Sequence, residues 1–461
     1  MTHQPSLPGW PQATSPRSSR RFWKSLSILN WLPEHRGRRH IRRTGRARQY
    51  RRENVSSLEG SSRVIPFQAN RATQPRRRIL FVFAWLVVGG EETEVRLLAK
   101  HLNPARYQLE VVACFRKPNM PKQTHDQLAA LGVTVDQTPY TLSFEETVTY
   151  LARKMPHYDL VVACQAVPDI YPALEQLARR PPLIEHGGLV SEALAGPKHF
   201  TSRYVGVCQT ICQAAQTKIA DRPHHVLEIP SMVDLDEFDP TQRATVRAAW
   251  QVDDETPVIG WVGRLDRKKR VEDFIRAAAL VHHEHPSARF LVIGGPDAFM
   301  PEYAEELQQL AHDLGLRDVL HFLGDRPDVP SLLAGLDIFV WLSRGEGMPH
   351  VISEAGAAGL PVIATCDNGT EEQITHGVTG LFTPHEAPVR VAEAISHLID
   401  NPQLRWRLGR NLRRKIELEY SAAVLVRRWE RLFDEVITEH QTLSVAPSSA
   451  PLASLSASAP G

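Results

Sequence analysis

Along the middle of the chain, short continuous apolar runs alternate with stretches of helical spacing. The apolar runs are ILFVFAWLVV at 79–88, LEVVACF at 109–115 and LVVAC at 160–164, then VIGWVG at 258–263, RFLVIGG at 289–295, DIFVWLS at 337–343 and PVIAT at 361–365. Between them, a 3.6-residue period recurs from Glu92 to Leu102, Val271 to His283, Pro301 to Leu314 and Val389 to Ile399. A strand that is apolar on both faces is covered on both, so the pattern predicts parallel sheets flanked by helices, an α/β fold. The alternation restarts after Ile229-Pro230-Ser231, where Pro240 and the DDETP run at 253–257 precede a fresh strand. A junction is expected near 230–245, with one doubly wound domain over 76–240 and a second over 241–410. Helical sequence then runs from Pro402 to His440, with Trp406, Leu408, Leu412, Ile416, Trp429, Leu432 and Phe433 as apolar positions. Its stretch 411–440 is expected to cross back to the first domain.

Length agrees with this division, since 461 residues exceed what one core accommodates at roughly 150 residues per domain. Hydrophobic content of 42% and charged content of 23% exclude fibrous, collagenous and membrane-embedded classes. The ends differ from the middle. Residues 1–75 are rich in Arg, Ser and Pro, and 441–461 form a Ser/Ala/Pro tail, so both read as disordered extensions. The net charge of +2 hides an asymmetry: residues 1–78 hold 18 Lys and Arg against Glu34, Glu53 and Glu59, leaving 36 basic and 49 acidic residues elsewhere. A basic arm on an acidic body fits an anionic partner such as a membrane surface, and fits equally a solvated extension; no specific nucleic acid is expected. Arg20 to Leu32 mixes cations with Phe22, Trp23, Ile28 and Trp31, a composition suited to lying on anionic lipid and superficially like a transit peptide. No apolar run approaches the roughly 18–20 residues of a membrane span. Cys114, Cys164, Cys208, Cys212 and Cys366 form no CxxC pair, so a reducing, cytoplasmic setting is expected, with peripheral attachment at the inner membrane face as an extension of the basic-arm reading.

Candidate chemistry lies where strands meet helices. Gly89 and Gly90 sit between the first strand and its helix, where backbone amides can approach phosphate oxygens; a tight turn needs the same residues. There is no GxGxxG, which argues against a nicotinamide dehydrogenase. In RLDRKKR, Arg264 and Lys269 follow a parallel strand at its carboxyl end, where open α/β sheets bind ligands. Together they could neutralise a departing diphosphate, although a solvated basic loop reads alike. In SRGEGMPHVISEAGAAGLPVIA, Glu346 and Glu354 flank a turn, Gly347-Met348-Pro349, between a strand end and a helix. Carboxylates accept vicinal hydroxyls well, so ribose or sugar diols are natural ligands; paired acids also serve glycoside hydrolysis, which gives the cationic loop no role. Asp234-Leu-Asp236 reads as a linker cap rather than a metal site, and His224, His225, His282, His283 and His285 read as solvated termini.

Together the stretches GRLDRKKR, LGDRPDVPSLLAGLDIFVWLSRGEGMPHVISEAGAAGLPVIAT and NGTEEQITHGVTGLFTP resemble the donor-binding half of family 4 of the retaining glycosyltransferases, of GT-B architecture. VVGGEETEVRLLAKHL and IPSMVDLDEF extend the likeness, which covers most of residues 79–385. The resemblance implies two Rossmann-like domains facing a cleft and transfer of a sugar from a nucleotide-diphosphate donor to a glycan, lipid-linked or small acceptor, with no cofactor and no metal. It also implies roles. Gly90, with Gly89, approaches the donor phosphates, Arg264 and Lys269 bind the diphosphate, Glu354 accepts the ribose hydroxyls, and Glu346 with the amides of Gly347, Met348 and Pro349 orients the sugar. His186, in PLIEHGG, is similar to the family's active-site histidine, while a structural histidine remains the alternative.

The sequence departs from the family at three places. Ser231-Met232 replaces the usual Asn-Gly of the linker, Glu91 stands where a small residue is usual, and Gly-Gly-x-Pro-Glu reads Asn368-Gly369-Thr370-Glu371-Glu372. An extra carboxylate at Glu91 would repel the donor or contact a cationic acceptor group. Two other functions stay open on these residues, a nucleotide-sugar epimerase or hydrolase on the same fold and a catalytically silent nucleotide-sugar-binding protein.

Overall fold

The computed structural model describes residues 75–445 except 119. The basic arm and the Ser/Ala/Pro tail from 446 lie outside the described residues. Seven strands, β1 (Arg77–Trp85), β2 (Tyr107–Phe115), β3 (Thr134–Asp136), β4 (Leu160–Cys164), β5 (Leu183–Gly187), β6 (Thr201–Gly206) and β7 (Val226–Glu228), form a first sheet in the order β3-β2-β1-β4-β5-β6-β7. Six more, β8 (Val258–Val262), β9 (Arg289–Ile293), β10 (Leu320–Phe322), β11 (Ile338–Trp341), β12 (Val362–Thr365) and β13 (Gly380–Thr383), form a second in the order β10-β9-β8-β11-β12-β13. Every pairing in the two sheets is parallel. The strand order reverses between β1 and β4 in the first sheet and between β8 and β11 in the second. Such switch points open a crevice at the carboxyl ends of the strands.

The first strand ends at Trp85 rather than Val88, because the Val87 amide donates to Glu92 Oε1 at 3.1 Å instead of continuing the ladder. The helical sequence expected from Pro402 to His440 is two helices, Pro402–Glu419 and Ala422–Val445. Between them the backbone pairs with the linker: the Val233 amide donates to the Tyr420 carbonyl at 2.9 Å, and the Ala422 amide to the Val233 carbonyl at 2.8 Å. The last helix then lays Leu425, Trp429, Leu432 and Phe433 on the first sheet beside Ile79, Phe81 and Phe83, burying them in one core. Trp406, read as an apolar core position, is 64% exposed beneath the Arg410 guanidinium.

The helix Pro402–Glu419 docks on the second half at backbone distance. A Cβ at Gly409 would lie 2.1 Å from the Gly359 carbonyl oxygen, and one at Gly356 would meet Leu412 and Ile416. Alanine favours an isolated helix interior over glycine by about 1 kcal/mol. Gly409→Ala is therefore expected to destabilise by about 1–3 kcal/mol through overpacking, read as a lower urea midpoint; a raised midpoint would mean that this helix does not dock.

Candidate active site

The basic loop after β8 sorts its cations by side. Asp266 caps the turn Arg267–Lys269 by accepting from the Lys268 amide at 2.8 Å. Arg267 turns outward to Glu306, and Arg270, left-handed at φ 53°, turns back to Asp273. Lys269 turns inward: Nζ lies 2.6 Å from Glu346 Oε1 and 4.9 Å from the Trp341 ring centre. Arg264, at the very end of the strand, donates to Asp297 Oδ2 at 2.8 Å. The loop is thus neither wholly solvated nor wholly inward. Lys269 and Glu346, 77 residues apart, meet across the β8–β11 switch point.

Glu346 is held from several directions. Ser343 Oγ donates to its Oε1 at 2.9 Å, its own amide donates to Asp367 Oδ2 at 3.2 Å, and Asn368 Nδ2 donates to its carbonyl at 2.7 Å. The Gly369 amide fixes the Gly347 carbonyl at 2.7 Å. Asn368 and Gly369, part of the departure from the family pattern, therefore clamp the Glu346 turn. The sequence singled out neither Asp367 nor Asn368 as a site residue; their position just after β12, beside the switch point, is the signal that could have found them.

Across the crevice stands the amino-terminal half. A Cβ at Gly347 would fall 2.0 Å from the Gly188 carbonyl oxygen, so the two turns touch only because residue 347 is glycine. Gly90 packs against His350, where a Cβ would meet the ring at 3.2 Å. The turn before this helix already holds an anion of its own: the Glu92 carboxylate sits beside Gly89 and accepts from Val87. Burial raises the Glu92 carboxyl above its usual range, opposed by the Val87 amide and by the Arg264 charge reaching from the second half. Gly89 and Gly90 thus supply close approach.

His186, the penultimate residue of β5, is 5% exposed, with its ring edge-on to Trp429 at 5.4 Å. Burial pushes it down to about 4, so the imidazole is neutral, and Nε2 has no hydrogen-bond partner among the described residues. Glu354 lies in the helix His350–Ala357. Burial pushes its carboxyl up to about 7, opposed by Arg96 and reinforced by Glu237, which bond each other at 2.8 and 3.2 Å. Met348 is buried, and its carbonyl accepts from Ser231 Oγ at 3.2 Å, while the Pro349 carbonyl accepts from Gln373. The substituted linker residue Ser231 thus ties the linker to the Met348 turn.

Sequence reasoning missed a buried junction beneath this crevice. Glu94 accepts from the Met232 amide at 3.2 Å and from Trp429 Nε1 at 3.0 Å, and burial pushes it up to about 7. His350, held neutral by burial, shares a 3.1 Å bond between Nδ1 and the Met232 carbonyl. Asp234 caps the linker turn by accepting from the Asp236 amide at 3.1 Å. Among the described residues, no group of three or more His, Cys, Asp and Glu is disposed to hold a metal ion, and no helix is long and apolar enough to cross a membrane.

Comparison with known proteins places this geometry. Residues 242–415 match the profile of the family described as Glycosyl transferases group 1. Over 226 residues the chain is 30% identical to a D-inositol 3-phosphate glycosyltransferase of Corynebacterium urealyticum, covering 47% of this chain and 51% of that protein. It is 32% identical over 182 residues to a GDP-mannose-dependent alpha-(1-6)-phosphatidylinositol monomannoside mannosyltransferase of Mycobacterium tuberculosis, covering 37% and 46%. The chain thus spans about half the length of the curated relatives it matches. Anabaena HepE in complex with UDP and glucose superposes with a TM-score of 0.66 at 22% identity, over 78% of this chain and all of that one. A glycosyltransferase from Rickettsia africae does so with a TM-score of 0.65 at 18% identity, over 78% and 99%. Two parallel sheets with facing switch points and a matched second half agree: residues 242–415 are similar to the glycosyl transferases group 1, and the chain has a GT-B fold.

Proposed function

We propose that the chain transfers a glycosyl group from a nucleoside-diphosphate sugar to an acceptor hydroxyl, with retention of configuration at the anomeric carbon. The single observation that carries this is the Lys269–Glu346 pair at the β8–β11 switch point, facing the Gly188 turn of the other half. In the reaction, the bond from the anomeric carbon to the terminal phosphate oxygen breaks and its electron pair leaves with the nucleoside diphosphate. The acceptor oxygen bonds to the same carbon, and its proton passes to the departing phosphate oxygen. Arg264 and Lys269 stabilise the negative charge as it develops, an electrostatic contribution that is large in a crevice emptied of water. Glu346 and the Gly347-Met348-Pro349 turn orient the sugar, Glu354 accepts the ribose hydroxyls, and neutral His186 offers Nε2 to the sugar from the other wall. Because Gly347 already touches Gly188, donor entry requires the two halves to part, so opening and closing gate turnover.

The curated relatives are named for acceptors that carry phosphate, D-inositol 3-phosphate and a phosphatidylinositol mannoside. Their donor-side likeness supports a nucleotide sugar for this chain, with a glycan or lipid-linked acceptor. The basic arm would then meet an anionic membrane surface.

A panel of UDP- and GDP-sugars, read by nucleoside diphosphate release, tests the reaction. Glu346→Ala and Lys269→Ala are each expected to lower the rate by about 10²–10³-fold; rates equal to wild type would remove the catalytic assignment. A second expectation concerns pH. Glu354 gains its proton near pH 7 when folded but near the ordinary carboxylate range when unfolded, so the native state binds the extra proton between those values. Stability contributed at this site falls as pH rises through that window. Glu354→Gln is therefore expected to raise the melting temperature relative to wild type at pH 8 more than at pH 5. Wild type is expected to gain nucleotide affinity between pH 6 and 8 as Glu354 loses its proton, and the same variant to lack that gain. Parallel pH profiles for the two proteins would sink this reading of Glu354.

A further inference from the structure

The β1–β4 switch point of the first sheet carries a cluster of its own, apart from the residues to which the proposed transfer gives a role. Glu91 opens the helix Gly90–His101 yet is only 6% exposed, and the Gly188 amide and the Gln165 side chain stand beside its carboxyl without a well-formed hydrogen bond to either oxygen. Its neighbours add acceptors. Gln165, at the end of β4 with φ 61°, leaves Oε1 unbonded, and Glu192 faces the same turn while accepting from the Gly188 and Leu189 amides at 2.8 and 3.0 Å. Burial drives the Glu91 carboxyl well above its usual range, and Glu192 and Glu92 add to the rise. Glu185, by contrast, is matched internally by Lys198, Thr201 and Tyr171.

A second observation, independent of these acids, marks the place as incomplete. Tyr204 is 1% exposed, and its hydroxyl has no hydrogen-bond partner among the described residues. It lies against Gly187, where a Cβ would fall 1.9 Å from the hydroxyl, within the field of Glu91 and Glu192. A buried hydroxyl and a buried carboxyl left unbonded each cost free energy that a ligand can recover. Against Glu91, Glu92 and Glu192 the complement that is missing is a cationic donor of hydrogen bonds. An ammonium offers three and carries the opposite charge, whereas a phosphate would be repelled. Gly188 lies against Glu91 and Glu192 and touches the Gly347 turn, so the cluster borders the crevice between the two halves.

We propose that Glu91, with Glu192, Gln165 and Tyr204, forms a subsite for a free amino group of the acceptor, making this a glycosyltransferase for amine-bearing acceptors. This rests on the function proposed above, and the test separates the two. The full chain is incubated with the sugar nucleotide it turns over best and with matched acceptor pairs, free-amine and N-acetylated forms of the same aminoglycosides, with nucleoside diphosphate release and glycoside product as readouts. Free-amine acceptors are expected to exceed their N-acetylated partners by about tenfold or more, the worth of a charge-assisted hydrogen bond. Glu91→Gln should collapse that ratio, and Glu91→Ala, which restores a small residue, should move preference toward the neutral forms. N-acetylated acceptors used as well as free amines, or an undiminished ratio in both variants, overturns the subsite while leaving the transferase reading intact. Absence of nucleotide release from every donor overturns both.

Discussion

A buried carboxyl left without partners costs free energy, and Glu94 is the partnered one on which the two halves converge. Its two oxygens take the Met232 amide of the linker and the indole of Trp429 from the returning helix. His350 reaches the other side of the same residue through its carbonyl, so Met232 is gripped from both halves. This junction fixes how the linker leaves the first sheet and where the last helix comes back. Removing one partner would strand a buried acid at a cost of about 1–3 kcal/mol or more. With the linker and returning helix so held, the two switch points face one another, and residues distant in sequence share one crevice.

Within that crevice, charge is arranged before any ligand arrives. Lys269 is already directed by Glu346, Arg264 by Asp297, and Glu346 by Ser343, Asp367 and Asn368. Groups held in this way need little reorganisation when a diphosphate takes over the cations, which is the physical basis of electrostatic catalysis. The opposite wall is acidic and neutral rather than basic. Arg264 and Lys269 belong to the second half, each paired with a carboxylate of that half, while Glu91, Glu92 and Glu192 belong to the first.

Much of this was legible in the chain and some of it was not. The long, doubly buried strands β1, β2, β4, β8, β9, β11 and β12 stand out as apolar runs. Edge strands such as Thr134–Asp136 and Leu320–Phe322 are three residues long and half polar, too short to carry a period. The candidate pair Lys269 and Glu346 was readable from family likeness, but their contact follows from tertiary folding. Glu94 was not singled out, being one more acid near a helix start, and Glu91 stood out only as a departure from the family pattern. Only packing shows that both turn inward, Glu94 toward the linker and Trp429, and Glu91 toward the Gly188 turn. The break at Tyr420-Ser421 was hidden because both flanking segments favour helix and the break comes from pairing with Val233.

Amide hydrogen exchange of the full chain, with and without saturating UDP or GDP, tests most directly whether loops of both sheets build one nucleotide-sugar site. Slowed exchange in 344–348 together with 89–92 and 186–189 is the expected result. Binding that protects the loops of one sheet alone, or surfaces remote from both switch points, would contradict it.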